Sequence, residues 1–319
     1  MDGGSMRPTT APLHAEIARG PEGGAAHWIH THDGLRLRAG HWPSAGPAKG
    51  TVLLFPGRTE YIEKYGDAAG FFAQHGLESL VIDWRGQGLA DRLLSNRLLG
   101  HVDEFPNYQN DVAAMVELAR TLDLPKPWFL LGHSMGGAIG LRALMEGLPV
   151  AAAAFSAPMW GIKLPAPLRP LAYAIGAFAR PLCLSGHLAP STSLTPYVQA
   201  QAFMGNLLTN DAEMYTMLRE QLKAVPDLAI SGPTINWVYE GMRECSHLAA
   251  QPSPDVPTLC FLGSAEQIVS TSAIHERMDS WPKGALRIVD AGRHEVLMED
   301  TATRHLILGE MVEFFTTAR

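Results

Sequence analysis

Cysteine is scarce in this chain: Cys183, Cys245 and Cys260 are the three among 319 residues. They are odd in number, widely spaced and without histidines at metal-ligand spacing, which argues against a disulfide framework and a zinc site and suits a reducing compartment. Long apolar runs are missing too. The longest, Val150 to Trp160, is interrupted by Ser156 and Pro158 and falls far short of a membrane span. Residues 1–24 are rich in Gly, Pro and Thr and lack the apolar core of a signal peptide, so they read as a flexible N-terminal arm on a soluble, cytoplasmic protein. Runs of Lys or Arg are absent and the formal net charge is −7, which leaves nucleic-acid binding without an electrostatic basis. What remains is 46% hydrophobic and 18% charged, a composition able to bury a sizeable core.

The apolar residues are organised. His27–His30 and Leu35–Arg38 flank the turn pair Asp33-Gly34 and read as a hairpin. Short continuous apolar runs follow, each ending at a turn residue: Thr51–Phe55, Leu80–Ile82, Trp128–Leu131, Ala151–Phe155, Thr258–Leu262 and Leu286–Val289. Runs of this length without alternation are expected of strands buried on both faces. Helical stretches lie between them, with Val112, Met115, Val116 and Ala119 on one face and Ile307, Met311, Phe314 and Phe315 on another. The pattern predicts an α/β fold with a mostly parallel sheet flanked by helices. Ligands should bind at the edge where the strands end. From Met159 to about Ile230 no strand pattern appears and prolines cluster. That length is too great for a loop, so an inserted helical unit is expected.

The chemistry centres on Gly132-His133-Ser134-Met135-Gly136, directly after one apolar run and directly before a helical stretch. Strand, Gly-x-Ser-x-Gly and helix in that order make the nucleophile elbow of the α/β-hydrolase fold. Gly132 and Gly136 are needed because side chains there would strike neighbouring backbone. Ser134 needs a base, and in this fold the acid and then the histidine follow it in the chain. His294 sits on the loop after the last strand, whereas His247, His275 and His305 do not follow a late strand. Glu266 is the carboxylate in the loop after the preceding strand. Asp255 lies before that strand and Asp290 ends a different one. The oxyanion donors should be the Met135 N–H and the Arg58 N–H, with Gly57 allowing close approach. The side chains of Arg58 and Glu60 are given only a loop-shaping role. Asp83 to Arg92 reads as a structural Asp–Arg turn, because its glycines lack phosphate-loop spacing. Phe178, Met204, Met214, Tyr215 and Met217 read mainly as core of the insertion, with one or two lining a pocket.

Gly-His-Ser-Met-Gly-Gly, Asp-x-Arg-Gly-x-Gly-x-Ala-Asp, Gly-Ser-x-Glu-x-Ile-Val and Gly-x-His-Glu together resemble bacterial lysophospholipase-like hydrolases. That group is similar to monoacylglycerol lipases and sits beside the serine aminopeptidases. The resemblance runs from about residue 27 and is weakest in the insertion. It implies a core of residues 25–158 and 233–319, a helical cap over residues 159–232 that binds acyl chains, and a core helix from Pro233 to Leu248. Two positions depart from the family: Pro56-Gly57 replaces His-Gly at the oxyanion turn, and Glu266 replaces the usual Asp. The resulting expectation is a carboxylic ester hydrolase without metal or cofactor. Its partner would be a small ester with an acyl chain, and it would contact a membrane surface at most transiently. A serine aminopeptidase is the alternative, for which Glu213, Glu220, Glu240 and Glu244 are the available carboxylates. A ligand-binding protein that retains the fold without turnover is the other.

Overall fold

The computed structural model describes residues 8–318. Among them, nine strands form one sheet: β1 (Thr9–Ala11), β2 (Ala25–His30), β3 (Arg36–Trp42), β4 (Gly50–Phe55), β5 (Leu77–Asp83), β6 (Trp128–His133), β7 (Ala152–Ser156), β8 (Thr258–Gly263) and β9 (Gly284–Val289). Their spatial order is β1-β2-β3-β5-β4-β6-β7-β8-β9. The expected hairpin is β2–β3, which pairs antiparallel, as do β1–β2 and β3–β5. From β5 to β9 every pairing is parallel, so these strands finish at one edge.

Period-two alternation sorts the core into two layers. Leu53 and Phe55 of β4 pack with residues of α3 (Tyr108–Thr121), α4 (Met135–Met145) and α8 (Ile235–Ala249). Val52 and Leu54 pack on the other face with α2 (Gly66–Gln74) and α10 (Thr301–Thr317). Because both faces are covered, the strands carry apolar residues at consecutive positions rather than at alternate ones. This is the α/β-hydrolase arrangement, with α9 (Thr271–Asp279) between β8 and β9.

The N-terminal arm needs correction over its described part. Instead of trailing loose, residues 9–11 add strand β1 to the sheet edge, and α1 (Ala15–Ala18) follows. Trp42 is the reason: Gly20 and Gly24 lie against its indole, leaving Trp42 2% exposed. Residues 1–7 of the expected arm lie outside the described residues. Between β7 and α8 the chain forms α5 (Arg169–Ala179), α6 (Tyr197–Ala200) and α7 (Ala212–Ala224), with no strand among the described residues. Val198, Met214, Tyr215, Met217, Leu218, Leu222 and Leu228 give this insertion its own core, closed by Tyr61 and Met298 from the main body.

Arg38 ties the antiparallel and parallel parts together. It is fully buried, with Nε donating to Asp83 at 2.7 Å and both Nη atoms donating to Glu63 at 2.7 Å. Nη1 also reaches the Pro12 carbonyl at 3.0 Å. Asp83 accepts further bonds from the Ile62 and Leu89 N–H groups. Arg38→Met therefore leaves two buried carboxylates without their cation and should cost about 3–5 kcal/mol in urea unfolding. A loss below about 1 kcal/mol would mean that the network can reorganise without Arg38.

Candidate active site

Ser134 stands between β6 and α4 at φ 49°, ψ −117°, a region that non-glycine residues rarely occupy. Surrounding bonds hold it there: its N–H donates to the Ser156 carbonyl at 3.0 Å, and its carbonyl accepts from Gly137 and Met159, both at 2.8 Å. A Cβ at Gly136 would lie 2.0 Å from the Phe55 carbonyl oxygen, and one at Gly132 would lie 2.9 Å from the Gly136 carbonyl oxygen. The two glycines thus permit the close crossing of β4, β6 and α4 that the elbow requires.

The loops after β8 and β9 bring Glu266 and His294 to the same edge. His294 Nε2 lies 2.9 Å from Ser134 Oγ, and its Nδ1 lies 2.7 Å from a Glu266 oxygen. All three side chains are buried. The other Glu266 oxygen accepts the Ile268 and Val269 N–H groups. Burial opposes its charge, but His294 and these two donors outweigh burial and hold the carboxyl below its ordinary pKa. The rival residues are elsewhere: His247, His275, His305, Asp255 and Asp290 are all exposed.

Met135 opens α4, so its N–H is one of the first-turn donors without an intrahelical partner. Opposite it, Pro56 to Glu60 forms a tight turn with Thr59 at φ 68°. Gln87 clamps this turn, accepting the Thr59 N–H at 2.9 Å and donating to the Gly57 carbonyl at 3.2 Å. The Gly57 N–H donates to Glu60, which leaves Arg58 as the turn's next donor. The Asp83 to Arg92 segment is indeed an Asp–Arg turn, with Arg85 bound to Asp111 and Asp33. Its Gln87 also shapes the site, a role that the charge pattern did not reveal.

Behind the serine lies a buried ionic cluster that sequence reasoning missed. Lys64 Nζ bridges Glu60 and Glu295, at 2.7 Å from the latter. His133 Nε2 is 3.2 Å from Glu295, close enough for ion pairing but without hydrogen-bond alignment. Its Nδ1 lies 3.0 Å from the Ser156 carbonyl. Tyr65 donates to Glu60. Glu60, His133 and Glu295 could each offer an atom to a metal ion, but the Lys64 ammonium already occupies the cation position between the two carboxylates. The available signals were the i,i+4 pair Glu60–Lys64 and the placement of His133 and Glu295 beside Ser134 and His294.

Burial works against both charges of the His133–Glu295 pair, and their mutual attraction, with Lys64 and Glu60, wins. Glu295 is held well below its ordinary 4.5, and His133 is raised above its ordinary 6.5. The Glu295 contribution to stability is present above 4.5 and fades as pH falls through its lowered folded value. That of His133 is complete below 6.5 and fades as pH rises through its raised folded value. Glu295→Gln should therefore cost about 3–5 kcal/mol near pH 6 and less near pH 9. Urea unfolding at the two pH values measures this, and an equal loss at both would contradict the pairing.

A cavity of about 280 Å³ opens above Ser134 and His294. The insertion supplies Met159, Ile162, Val198, Leu208, Leu218 and Leu222 to its wall, and the main body supplies Trp237, Ile268 and Val269. None of the five insertion residues singled out in the sequence lines it. Met214, Tyr215 and Met217 are buried inside the insertion, whereas Phe178 and Met204 are exposed. The carboxylates available for binding an amino terminus also lie elsewhere. Glu213 pairs with Arg19, Glu220 with Lys223, Glu240 with Arg243 and Glu244 with Arg142.

Residues 46–301 match the family model described as serine aminopeptidase, S33. Lysophospholipase L2 of Escherichia coli (strain K12) is 32% identical over 294 residues, covering 88% of this chain and 83% of the relative. Monoglyceride lipase of Rattus norvegicus is 23% identical over 88% of this chain and 86% of its own. A solved structure of a soluble variant of monoglyceride lipase from Saccharomyces cerevisiae has the same fold. Its TM-score is 0.71 at 19% identity, over 91% of this chain and 95% of that one. The chain belongs to the α/β-hydrolase family described as serine aminopeptidase, S33, it is a homologue of lysophospholipase L2, and it is an ester-hydrolysing enzyme.

Proposed function

We propose that the protein hydrolyses the carboxylic ester of a monoacyl lipid, a lysophospholipid or a monoacylglycerol, through an acyl-enzyme. The observation that carries this reading is the hydrogen-bonded series Glu266–His294–Ser134 at the floor of an apolar cavity. Ser134 Oγ attacks the ester carbonyl carbon while its proton passes to His294 Nε2. The Met135 and Arg58 N–H groups hold the oxyanion that forms. The His294 imidazolium then gives its proton to the departing alcohol oxygen, leaving the acyl group on Ser134. Water, giving a proton to His294, attacks the acyl carbon, and as the bond to Ser134 Oγ breaks His294 returns that proton to Oγ, releasing the fatty acid. Glu266 stays ionised throughout, fixing the imidazole tautomer and stabilising the imidazolium.

In this reading residues 159–232 are the cap and residues 25–158 with 233–319 the catalytic core. The leucines and valine that the insertion places in the cavity wall favour an acyl chain. An aminopeptidase would need a free carboxylate to receive the substrate's ammonium, and Glu213, Glu220, Glu240 and Glu244 are committed to arginines and lysine or face solvent. Leu168, Leu171, Ile175, Phe178 and Leu182 form an exposed apolar stripe along α5 and beyond its end, which supports brief contact with a lipid surface. No helix among the described residues is long and apolar enough to cross a membrane. The unpaired cysteines favour a reducing compartment, the cytoplasm.

A serine-directed fluorophosphonate should label the folded protein and fail to label Ser134→Ala. Equal labelling of both would place the reactive nucleophile at another residue, and labelling of neither would overturn the mechanism. Glu266→Gln should lower kcat by about 10²–10⁴-fold, the scale of oriented acid–base catalysis. Unchanged turnover would move the acid's role to another residue.

A further inference from the structure

The cavity holds one cation that the chemistry above does not use. Arg58 lines it beside Ser134 and His294. Its guanidinium bonds through Nη2 to the Ser231 carbonyl and lies 5.1 Å from the Trp237 ring centre. Nε is buried without a hydrogen-bond partner, and no carboxylate among the described residues comes within ion-pair reach of it.

That arrangement is unlike the other buried arginines of the core. Arg38 has Asp83 and Glu63, Arg85 has Asp111 and Asp33, and Arg304 has Asp67. Arg92 and Arg277 also bond to carbonyls rather than to close carboxylates, but neither lines this cavity. Of the other groups around the cavity, Glu60 and Glu295 face Lys64 and His133, and Glu266 is committed to the His294 ring. Arg58 is the cation of the cavity wall that has no carboxylate within ion-pair reach among the described residues. Burial without a carboxylate lowers its pKa to about 10, which leaves it a full cation at neutral pH. A desolvated cation of this kind is stabilised by an incoming anion, and guanidinium matches phosphate oxygens with paired donors.

We propose that the Arg58 side chain receives a phosphate ester carried on the leaving glycerol, so that the preferred substrate is a lysophospholipid rather than a neutral monoacylglycerol. This rests on the ester-hydrolase reading and names its substrate class. The acyl chain then lies along the apolar wall while the headgroup phosphate meets the Arg58 guanidinium near Ser231 and Trp237. The same position disfavours a peptide's ammonium terminus.

The test compares kcat/KM for a lysophosphatidylethanolamine and a monoacylglycerol of the same short acyl chain, both kept below their micelle concentrations. Because the Arg58 backbone also serves the oxyanion turn, the informative quantity is the ratio of the two values within each variant. Wild type should favour the lysophospholipid. Arg58→Gln should lower the ratio about 10- to 100-fold, the scale of a charge-assisted hydrogen bond, and Arg58→Lys should retain part of it. A ratio unchanged within twofold in Arg58→Gln overturns the proposal while leaving the esterase intact. Binding of octyl phosphate against octanol, followed by calorimetry, provides a readout without turnover. Tighter binding of the phosphate to wild type supports the site even if Arg58→Gln fails to fold, and equal binding of the two overturns it. If neither ester is hydrolysed, the ester reading fails, and octyl phosphate binding still decides whether Arg58 is an anion site.

Discussion

The cluster of Glu60, Lys64, His133 and Glu295 joins three separate parts of the chain at one buried point. Glu60 and Lys64 belong to the segment after β4, His133 ends β6, and Glu295 follows the last strand. Their immediate neighbours are the groups that the proposed mechanism uses: Arg58 in the same turn, Ser134 after His133, and His294 before Glu295. The ionic contacts at 2.7–3.2 Å between Lys64, Glu295 and His133 tie these loops to one another. An apolar cluster could fill the same space, but it would not specify position along the loops so narrowly. The desolvation cost of four buried charges is offset because they balance and because Tyr65 and the Gly57 N–H take up further Glu60 lone pairs.

Strain at Ser134 is maintained from the opposite side. The positive φ of a non-glycine residue is unfavourable by itself, and three backbone bonds to Ser156, Gly137 and Met159 counter it. Ser156 and Met159 lie at and just beyond the end of β7, so the strand next to β6 helps to set the hydroxyl's position. The nucleophile is therefore held by its own sheet on one side and by the ionic cluster on the other. In the proposed mechanism His294 then supplies only the proton acceptor, with Glu266 fixing its orientation.

Much of this was legible because the underlying constraints are local. A strand buried on both faces must be continuously apolar, which is why Thr51–Phe55 and Trp128–Leu131 stand out. Gly132 and Gly136 are forced by close backbone crossings, and Ser134, Glu266 and His294 can be found by asking which loop follows which strand. Other features depend on pairings across long distances in the chain. Lys64 and Glu295 are separated by 231 residues, and singly each looks like a solvated surface charge. Thr9–Ala11 is too short to register as a strand, and its order depends on an edge that only exists once β2 has formed. In the insertion, Met214, Tyr215 and Met217 have helical spacing that cannot distinguish a helix face turned to the cavity from one turned into the insertion's own core.

Arg58 shows why the role of a residue in this site cannot be taken from its position in the motif alone. Its backbone belongs to a turn whose geometry is set by Gln87, Glu60 and Thr59, so the donor would be presented in much the same way by many side chains. The side chain itself extends to Ser231 and Trp237, at the junction of the insertion and α8, and is left without a carboxylate there. Backbone and side chain of the same residue thus face two different demands. The first is the charge that develops on the ester oxygen in every substrate, and the second is the charge that only some leaving groups carry. Reaction chemistry and headgroup preference then rest on separate atoms. The preference can change by substitution at Arg58 or its neighbours without dismantling the elbow, provided that the turn keeps its clamp.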